Sequence, residues 1–294
     1  MMTLCDAFEI GRHPLVFRSA ETERRDGFVI ERLLFERADG EEVRGILTRP
    51  DSVNPCPAIL YSHAHGNRHD VGVAEMLDGR PSLQGPLGPI FARHGYVALM
   101  VEMPAFGTRA KPGETVRAKA ALWHGRSLAG QMLGELASAL DWLAERADVD
   151  DDRIGAFGIS MGATLSYWLS AVEPRIACLA HLCAYADLDT LIETCAHDLH
   201  GIYRTVPGLL GIASNGEIAG MIAPRPQLIG IGDRDPLTPP AAVDAALAQT
   251  RSAYARADMP ENLIVHREAD SGHVETVAMR AAVLSFFARH LHDA

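Results

Sequence analysis

One pentapeptide limits what this chain can fold into more than any other feature: Gly158-Ile159-Ser160-Met161-Gly162. It follows the β-forming run Arg153–Gly158 (RIGAFG) and precedes a helical pattern over 161–172 that stops before Pro174. A serine framed this way sits on a sharp strand-to-helix turn. The residues two before and two after it approach too closely for a Cβ, so both must be glycine. The hydroxyl then projects above the C-terminal edge of a sheet, at a helix N-terminus, where the main-chain N–H of Met161 is free to hold an oxyanion. The pattern predicts Ser160 as a nucleophile.

The surrounding rhythm supports this placement. Residues 28–49 read as two β-rich runs about a turn at Ala38-Asp39-Gly40. Short apolar runs follow at Ala58–Ser62, Tyr96–Val101, Ile176–Leu182, Gln227–Gly232 and Asn262–Arg267. Between them lie helical patterns at 83–94, 127–146 and 277–291. The second has Leu133, Leu136, Leu140 and Leu143 on one face, Met132 beside them and Ser127 as N-cap. Asp148–Asp152 reads as an acidic turn. Strands alternating with helices predict an α/β fold: a mainly parallel sheet covered on both faces, with an antiparallel N-terminal hairpin at its edge. The expectation is a single domain over 1–294. Residues 1–25 would be a polar, irregular arm and 187–223 a cap or lid insertion.

A serine hydroxyl needs a base to take its proton, and that base needs an orienting carboxylate. Both follow Ser160 in chain order, each just past a strand. Asp233-Arg234-Asp235-Pro236 comes after Gln227–Gly232, and Ser271-Gly272-His273 comes after Asn262–Arg267. Asp235 is the expected acid, with Asp233 as its rival, and His273 is the expected base. The loop after Ala58–Ser62 should give a second oxyanion N–H. His65-Gly66-Asn67 resembles a His-Gly-X turn, which points to Asn67. Met161 and Asn67 are thus the expected oxyanion pair.

The same loop admits another chemistry. His63, His65, His69 and Asp70 resemble the His-x-His cluster of metallohydrolases. No Asp directly precedes the third histidine, however, and no later His/Asp set completes a two-metal site, so no metal and no other cofactor is expected. His65, Phe106, His200 and Tyr203 are the candidate substrate contacts. Phe106 sits in a Glu102–Gly107 loop after a strand, and the other two sit in the cap segment.

Composition narrows the partners. The formal net charge of -11 repels phosphate backbones and gives no attraction to anionic membranes. No apolar run approaches the ~20 residues that span a bilayer. The five cysteines, an odd number without a CxxC pair, fit reduced and mostly buried thiols. With no signal-peptide pattern at the start, the expected location is cytoplasmic. The expected partner is a small-molecule ester, with no nucleic acid and no membrane. The oligomeric state stays open, a homodimer included.

With Gly158–Gly162, Asp235 and His273 in place, the chain resembles the α/β-hydrolase superfamily over almost its whole length. Two stretches resemble its acetyl-xylan-esterase and dienelactone-hydrolase-related branch. One is His200-Gly201-Ile202-Tyr203 with Val206-Pro207-Gly208-Leu209-Leu210. The other is Ile222-Ala223-Pro224-Arg225-Pro226 leading into Gly232-Asp233-Arg234-Asp235. Dienelactone hydrolases proper carry cysteine where this chain has Ser160. The resemblance implies cofactor-free cleavage of carboxylic esters, including small or sugar acetates. The alternatives are a peptidase or another C–N or C–C bond hydrolase on the same triad, and a metallohydrolase built on His63, His65 and His69.

Overall fold

The computed structural model describes residues 2–52 and 54–292. Met1 of the expected arm, Val53, Asp293 and Ala294 lie outside the described residues. The strands are β1 (Leu15–Arg25), β2 (Phe28–Arg37), β3 (Glu42–Arg49), β4 (Cys56–Ser62), β5 (Val97–Val101), β6 (Val149–Ile159), β7 (Ile176–Leu182), β8 (Gln227–Gly232) and β9 (Leu263–Glu268). The helices are α1 (Leu4–Ala7), α2 (Glu75–Asp78), α3 (Gly88–Arg93), α4 (Glu114–Trp123), α5 (Leu128–Ala144), α6 (Met161–Val172), α7 (Leu188–Glu193), α8 (Asn215–Gly220), α9 (Pro240–Arg256) and α10 (Val277–Phe287).

One nine-stranded sheet runs in the order β1-β2-β3-β5-β4-β6-β7-β8-β9. The pairings from β1 to β5 through β3 are antiparallel, and those from β5 to β9 are parallel. This is the α/β architecture expected from the alternating pattern. Period-two alternation feeds two cores. Leu60 points to the face covered by α5 and α6, and its neighbours Ile59 and Tyr61 point to the face covered by α3 and α10. Both faces are buried, so the central strands read as continuous apolar runs. On α5, Met132, Leu133, Leu136, Leu140 and Leu143 are all buried, and the Ser127 hydroxyl accepts the Gly130 N–H at 2.8 Å.

Four local expectations need correction. Residues 15–25 are not an irregular arm: they form β1, paired with β2 along its length. Its side chains beyond Leu15 are solvent-exposed, and Arg18 reaches across to Glu36 at 2.9 Å. A charged edge strand protects a sheet from further pairing, so its sequence looks like a polar arm. The helix expected over 83–94 shrinks to α3, because Ser82 and Gln84 are tied instead to Glu275 of a distant loop. The acidic Asp150–Asp152 stretch lies inside β6, where Asp150 accepts from Arg153 Nε at 2.8 Å. Cys5 and Cys195 are exposed; only Cys178 and Cys183 are fully buried. No described helix is long and apolar enough to cross a membrane.

The sheet also encloses two histidines, His63 just after β4 and His181 within β7, both fully buried. Burial pushes each imidazole down to about 3, so both rings stay neutral in the folded chain. The unfolded chain takes up these protons near pH ~6.5. Their contribution is therefore fully present above that pH and is lost as pH falls from there toward 3. Urea unfolding at about pH 7.5 and about pH 5 should show a loss of roughly 2 kcal/mol per buried histidine at the lower pH. Equal unfolding free energies at both would contradict this burial.

Candidate active site

The site is built on the turn between β6 and α6. Ser160 is the residue before the helix and has φ 59° and ψ -123°. That is a left-handed φ for a non-glycine residue, a conformation held only when its surroundings over-determine it. The glycines explain how. A Cβ on Gly158 would lie 2.2 Å from both the carbonyl carbon and oxygen of Gly162. A Cβ on Gly162 would lie 1.9 Å from the Ser62 carbonyl oxygen at the end of β4. The Ser160 N–H donates to Leu182 O at 2.9 Å, so β7 holds the turn from the other side.

Two loops bring groups to the Ser160 hydroxyl. His273 Nε2 lies 2.8 Å from Ser160 Oγ, and His273 Nδ1 lies 2.6 Å from Asp235 Oδ2. Asp235 is 2% exposed, and its other oxygen accepts the Leu237 N–H at 2.9 Å. The rival Asp233 is turned away: it pairs with Arg267, which also holds Asp244. Gly232 sets the approach of the two loops. A Cβ there would lie 2.5 Å from Ser271 O and 2.6 Å from Gly272 O. Main-chain bonds then join them, Asp233 N–H to Glu268 O and Arg234 N–H to Ser271 O, both 2.9 Å.

The loop after β4 lies against the Ser160 turn. Buried groups that the sequence reading passed over fasten it. Glu75 on α2 is fully buried; it accepts the Ala64 N–H at 3.0 Å and the Tyr61 hydroxyl at 2.7 Å, and it pairs with Arg80. Arg80 Nη1 donates to His65 O at 2.9 Å. The expected oxyanion donor Asn67 is not free, because its N–H donates to the His65 ring at Nδ1, 3.1 Å away. The main-chain N–H groups of His65 and Gly66 have no partner among the described residues. The Met161 N–H is likewise left over at the start of α6. A cavity of ≈ 470 Å³ joins Ala64, Gly66 and Arg80 to Ser160 and His273.

The histidine cluster divides differently from the sequence expectation. His63 is a core residue: its Nδ1 faces Ala64 O at 3.0 Å and its Nε2 accepts the Met103 N–H at 3.1 Å. His65 and His69 instead meet Glu114 of α4, a helix absent from the sequence reading. His65 Nε2 is 2.8 Å from Glu114 Oε2. Because Nδ1 of His65 accepts from Asn67, Nε2 carries the proton and donates to the carboxylate. His65 and Glu114 are therefore a hydrogen-bonded pair, with His69 Nε2 3.8 Å from Glu114 Oε2, and the His65 lone pair is turned to Asn67 rather than toward an ion. Burial pushes the Glu114 carboxyl up, but the hydrogen bonds from His65 and from the Tyr203 N–H bring it net below its ordinary value.

Among the other candidate contacts, Phe106 is fully buried and its ring packs on His63, His65 and His69. Tyr203 is buried and stacks on the His65 ring, with centroids 5.8 Å apart. Neither faces the cavity at Ser160, since apolar rings under a loop gain more from packing than from exposure. His200 lines a separate cavity of ≈ 480 Å³, and its Nε2 donates to Leu237 O at 3.0 Å, two residues beyond Asp235. Burial, with Arg204 nearby, pushes its imidazole down to about 3.

Residues 39–277 match the family of X-Pro dipeptidyl-peptidases, S15. The Bacillus subtilis (strain 168) protein named "Putative hydrolase YtaP" is 34% identical over 282 residues, covering 95% of this chain and 94% of that protein. The fold is similar to that of the acetyl xylan esterase from Paenibacillus sp. R4, with TM-score 0.71 and 18% identity over 98% of this chain and 92% of that one. It is also similar to a structure from Bacteroides fragilis NCTC 9343 titled "putative acetyl xylan esterase". There the TM-score is 0.74 and the identity 21%, over 90% of this chain and 72% of that one.

The close approach of β4 to the Ser160 turn has a direct consequence. Gly162→Ala should cost roughly 3 kcal/mol or more of stability, because the added methyl meets backbone that cannot move aside. Urea unfolding measures this. A variant as stable as the parent would show that β4 and α6 are not in the contact described.

Proposed function

This chain belongs to the X-Pro dipeptidyl-peptidase (S15) family, with the α/β-hydrolase fold, and on that premise we propose that it is a serine hydrolase cleaving carboxylic esters through an acyl-enzyme on Ser160. The observation that carries the reading is the continuous chain from Ser160 Oγ through the His273 ring to Asp235, at 2.8 and 2.6 Å. His273 takes the proton as Ser160 attacks the carbonyl carbon. Asp235 accepts from Nδ1, fixes the tautomer and offsets the charge that forms on the ring. The N–H of Met161 and the free N–H groups at His65–Gly66 face the developing oxyanion; Asn67 has no part in this. His273 then protonates the leaving alcohol, and water repeats the sequence in reverse to release the acid.

Of the two solved structures of similar fold, one is described as an acetyl xylan esterase and the other as a putative one, which supports an ester substrate. So does the charge pattern near Ser160. A dipeptidyl substrate brings a free ammonium, which calls for a sheltered carboxylate. The acids at the cavity are Asp70, already paired with Arg68, and Asp78, and both are solvent-exposed. In this reading residues 187–223 form the cap. They carry α7, three short 3-10 turns and α8 between β7 and β8. Leu188, Ile192, Ile202 and Leu209 line a cavity there that is separate from the one at Ser160. Five free thiols support a reducing, cytoplasmic setting.

Steady-state hydrolysis of p-nitrophenyl acetate separates the two acids. Asp235→Asn should lower kcat by about 10³- to 10⁴-fold through the wrong imidazole tautomer, whereas Asp233→Asn stays within about 3-fold of the parent because its ion pair is partly solvated. Parent-like turnover by Asp235→Asn would exclude this triad. A higher kcat/KM on alanyl-prolyl p-nitroanilide than on the ester would replace esterase by peptidase.

A further inference from the structure

We infer that Glu114 is a positioning residue which, through the His65 ring, holds the oxyanion loop and links it to the segment between β7 and β8. The inference rests on the reading of Ser160 as nucleophile. Glu114 uses its two oxygens on two different elements. Oε2 accepts the His65 Nε2 proton at 2.8 Å, and Oε1 accepts the Tyr203 N–H at 2.9 Å. Both groups are buried, with side-chain exposures of 10% each. Gly201 makes room for the meeting. A Cβ there would lie 2.7 Å from Glu114 Oε1 and 2.9 Å from His65 Nε2. The glycine of His200-Gly201-Ile202-Tyr203 therefore has a steric reason.

What the carboxylate fixes is the turn itself. Gly66 and Asn67 both have left-handed φ, 54° and 52°. The side chain that steadies this turn is the His65 ring, which accepts the Asn67 N–H at Nδ1. It can do so only as the Nε2-protonated tautomer. A carboxylate at Nε2 selects that tautomer, because it accepts the proton and cannot donate one. Tyr203 stacks on the ring and Phe106 meets it edge-on, which holds its plane. Losing Glu114 frees the ring, lets the turn relax and moves the His65–Gly66 N–H groups off the oxyanion. Interactions made mainly in the transition state appear in kcat rather than in KM.

The test is p-nitrophenyl acetate hydrolysis by Glu114→Ala, Glu114→Gln, His65→Asn and Ser160→Ala. Removing a whole oxyanion donor costs about 10²- to 10³-fold, so displacing one should lower kcat of Glu114→Ala by ~10- to 100-fold, with KM within about 3-fold. Glu114→Gln keeps one acceptor for His65 Nε2 but turns its NH2 toward the Tyr203 N–H, so its kcat should recover part of the way, to a value between those of Glu114→Ala and the parent. A structural role alone would not produce that recovery at equal melting temperature. If Glu114→Ala does not fold, His65→Asn decides. Its Oδ1 can still accept the Asn67 N–H but cannot reach Glu114, so kcat should fall as for Glu114→Ala. Parent-like kcat in whichever variant folds, or a rise in KM at unchanged kcat, overturns the inference. Parent-like turnover in Ser160→Ala would instead overturn the reading on which it rests.

Discussion

Everything at the site depends on how closely the turn after β6 sits against β4. The approach is possible because Gly158 and Gly162 carry no side chain where a methyl would stand 2.2 and 1.9 Å from backbone atoms. That packing holds Ser160 at φ 59°, with its hydroxyl 2.8 Å from His273 Nε2. It also lays the loop after β4 against the first turn of α6. Among the described residues the main-chain N–H groups of Met161, His65 and Gly66 have no partner, and Gly66 lines the cavity that reaches Ser160. Strain at one residue is offset by the burial of two layers of core around it.

The second constraint is electrostatic. A carboxylate as buried as Asp235 must be matched by donors. It has two, the Leu237 N–H and the His273 ring. Asp233, two residues earlier, is matched instead by Arg267. The two aspartates are alike in sequence but differ in partner, and the partner decides which one reaches the imidazole. The same logic governs the loop after β4. Glu75 with Arg80 anchors its start, and Glu114 with His65 its turn. Glu75 ties segments close in the chain, whereas Glu114 bridges elements far apart in it.

The fold was largely legible in the sequence, because buried parallel strands and the α5 leucine stripe leave strong periodic signals. The grouping of Ser160, Asp235 and His273 was legible because the turn glycines and the strand ends mark their positions locally. What stayed hidden had no local mark. The edge strand β1 is polar on nearly every residue, since only the pairing with β2 makes it a strand. Helix α4 buries only Glu114 and Ala118, so no apolar stripe marks it in the sequence. Asn67 followed from a His-Gly-X pattern, but whether an N–H is free depends on what the neighbouring ring accepts. Phe106 and Tyr203 have the composition of a binding site, yet both ended beneath the loop rather than in its mouth. Side-chain direction in loops is set by long-range packing, and a linear pattern does not carry it.

The most direct test of the account is covalent trapping of the hydroxyl that the turn presents. Treatment with a fluorophosphonate, followed by intact-mass measurement and peptide mapping, should give one adduct per chain on Ser160, with ester hydrolysis lost in proportion to labelling. Label on another residue, or hydrolysis that survives complete labelling of Ser160, would contradict the account.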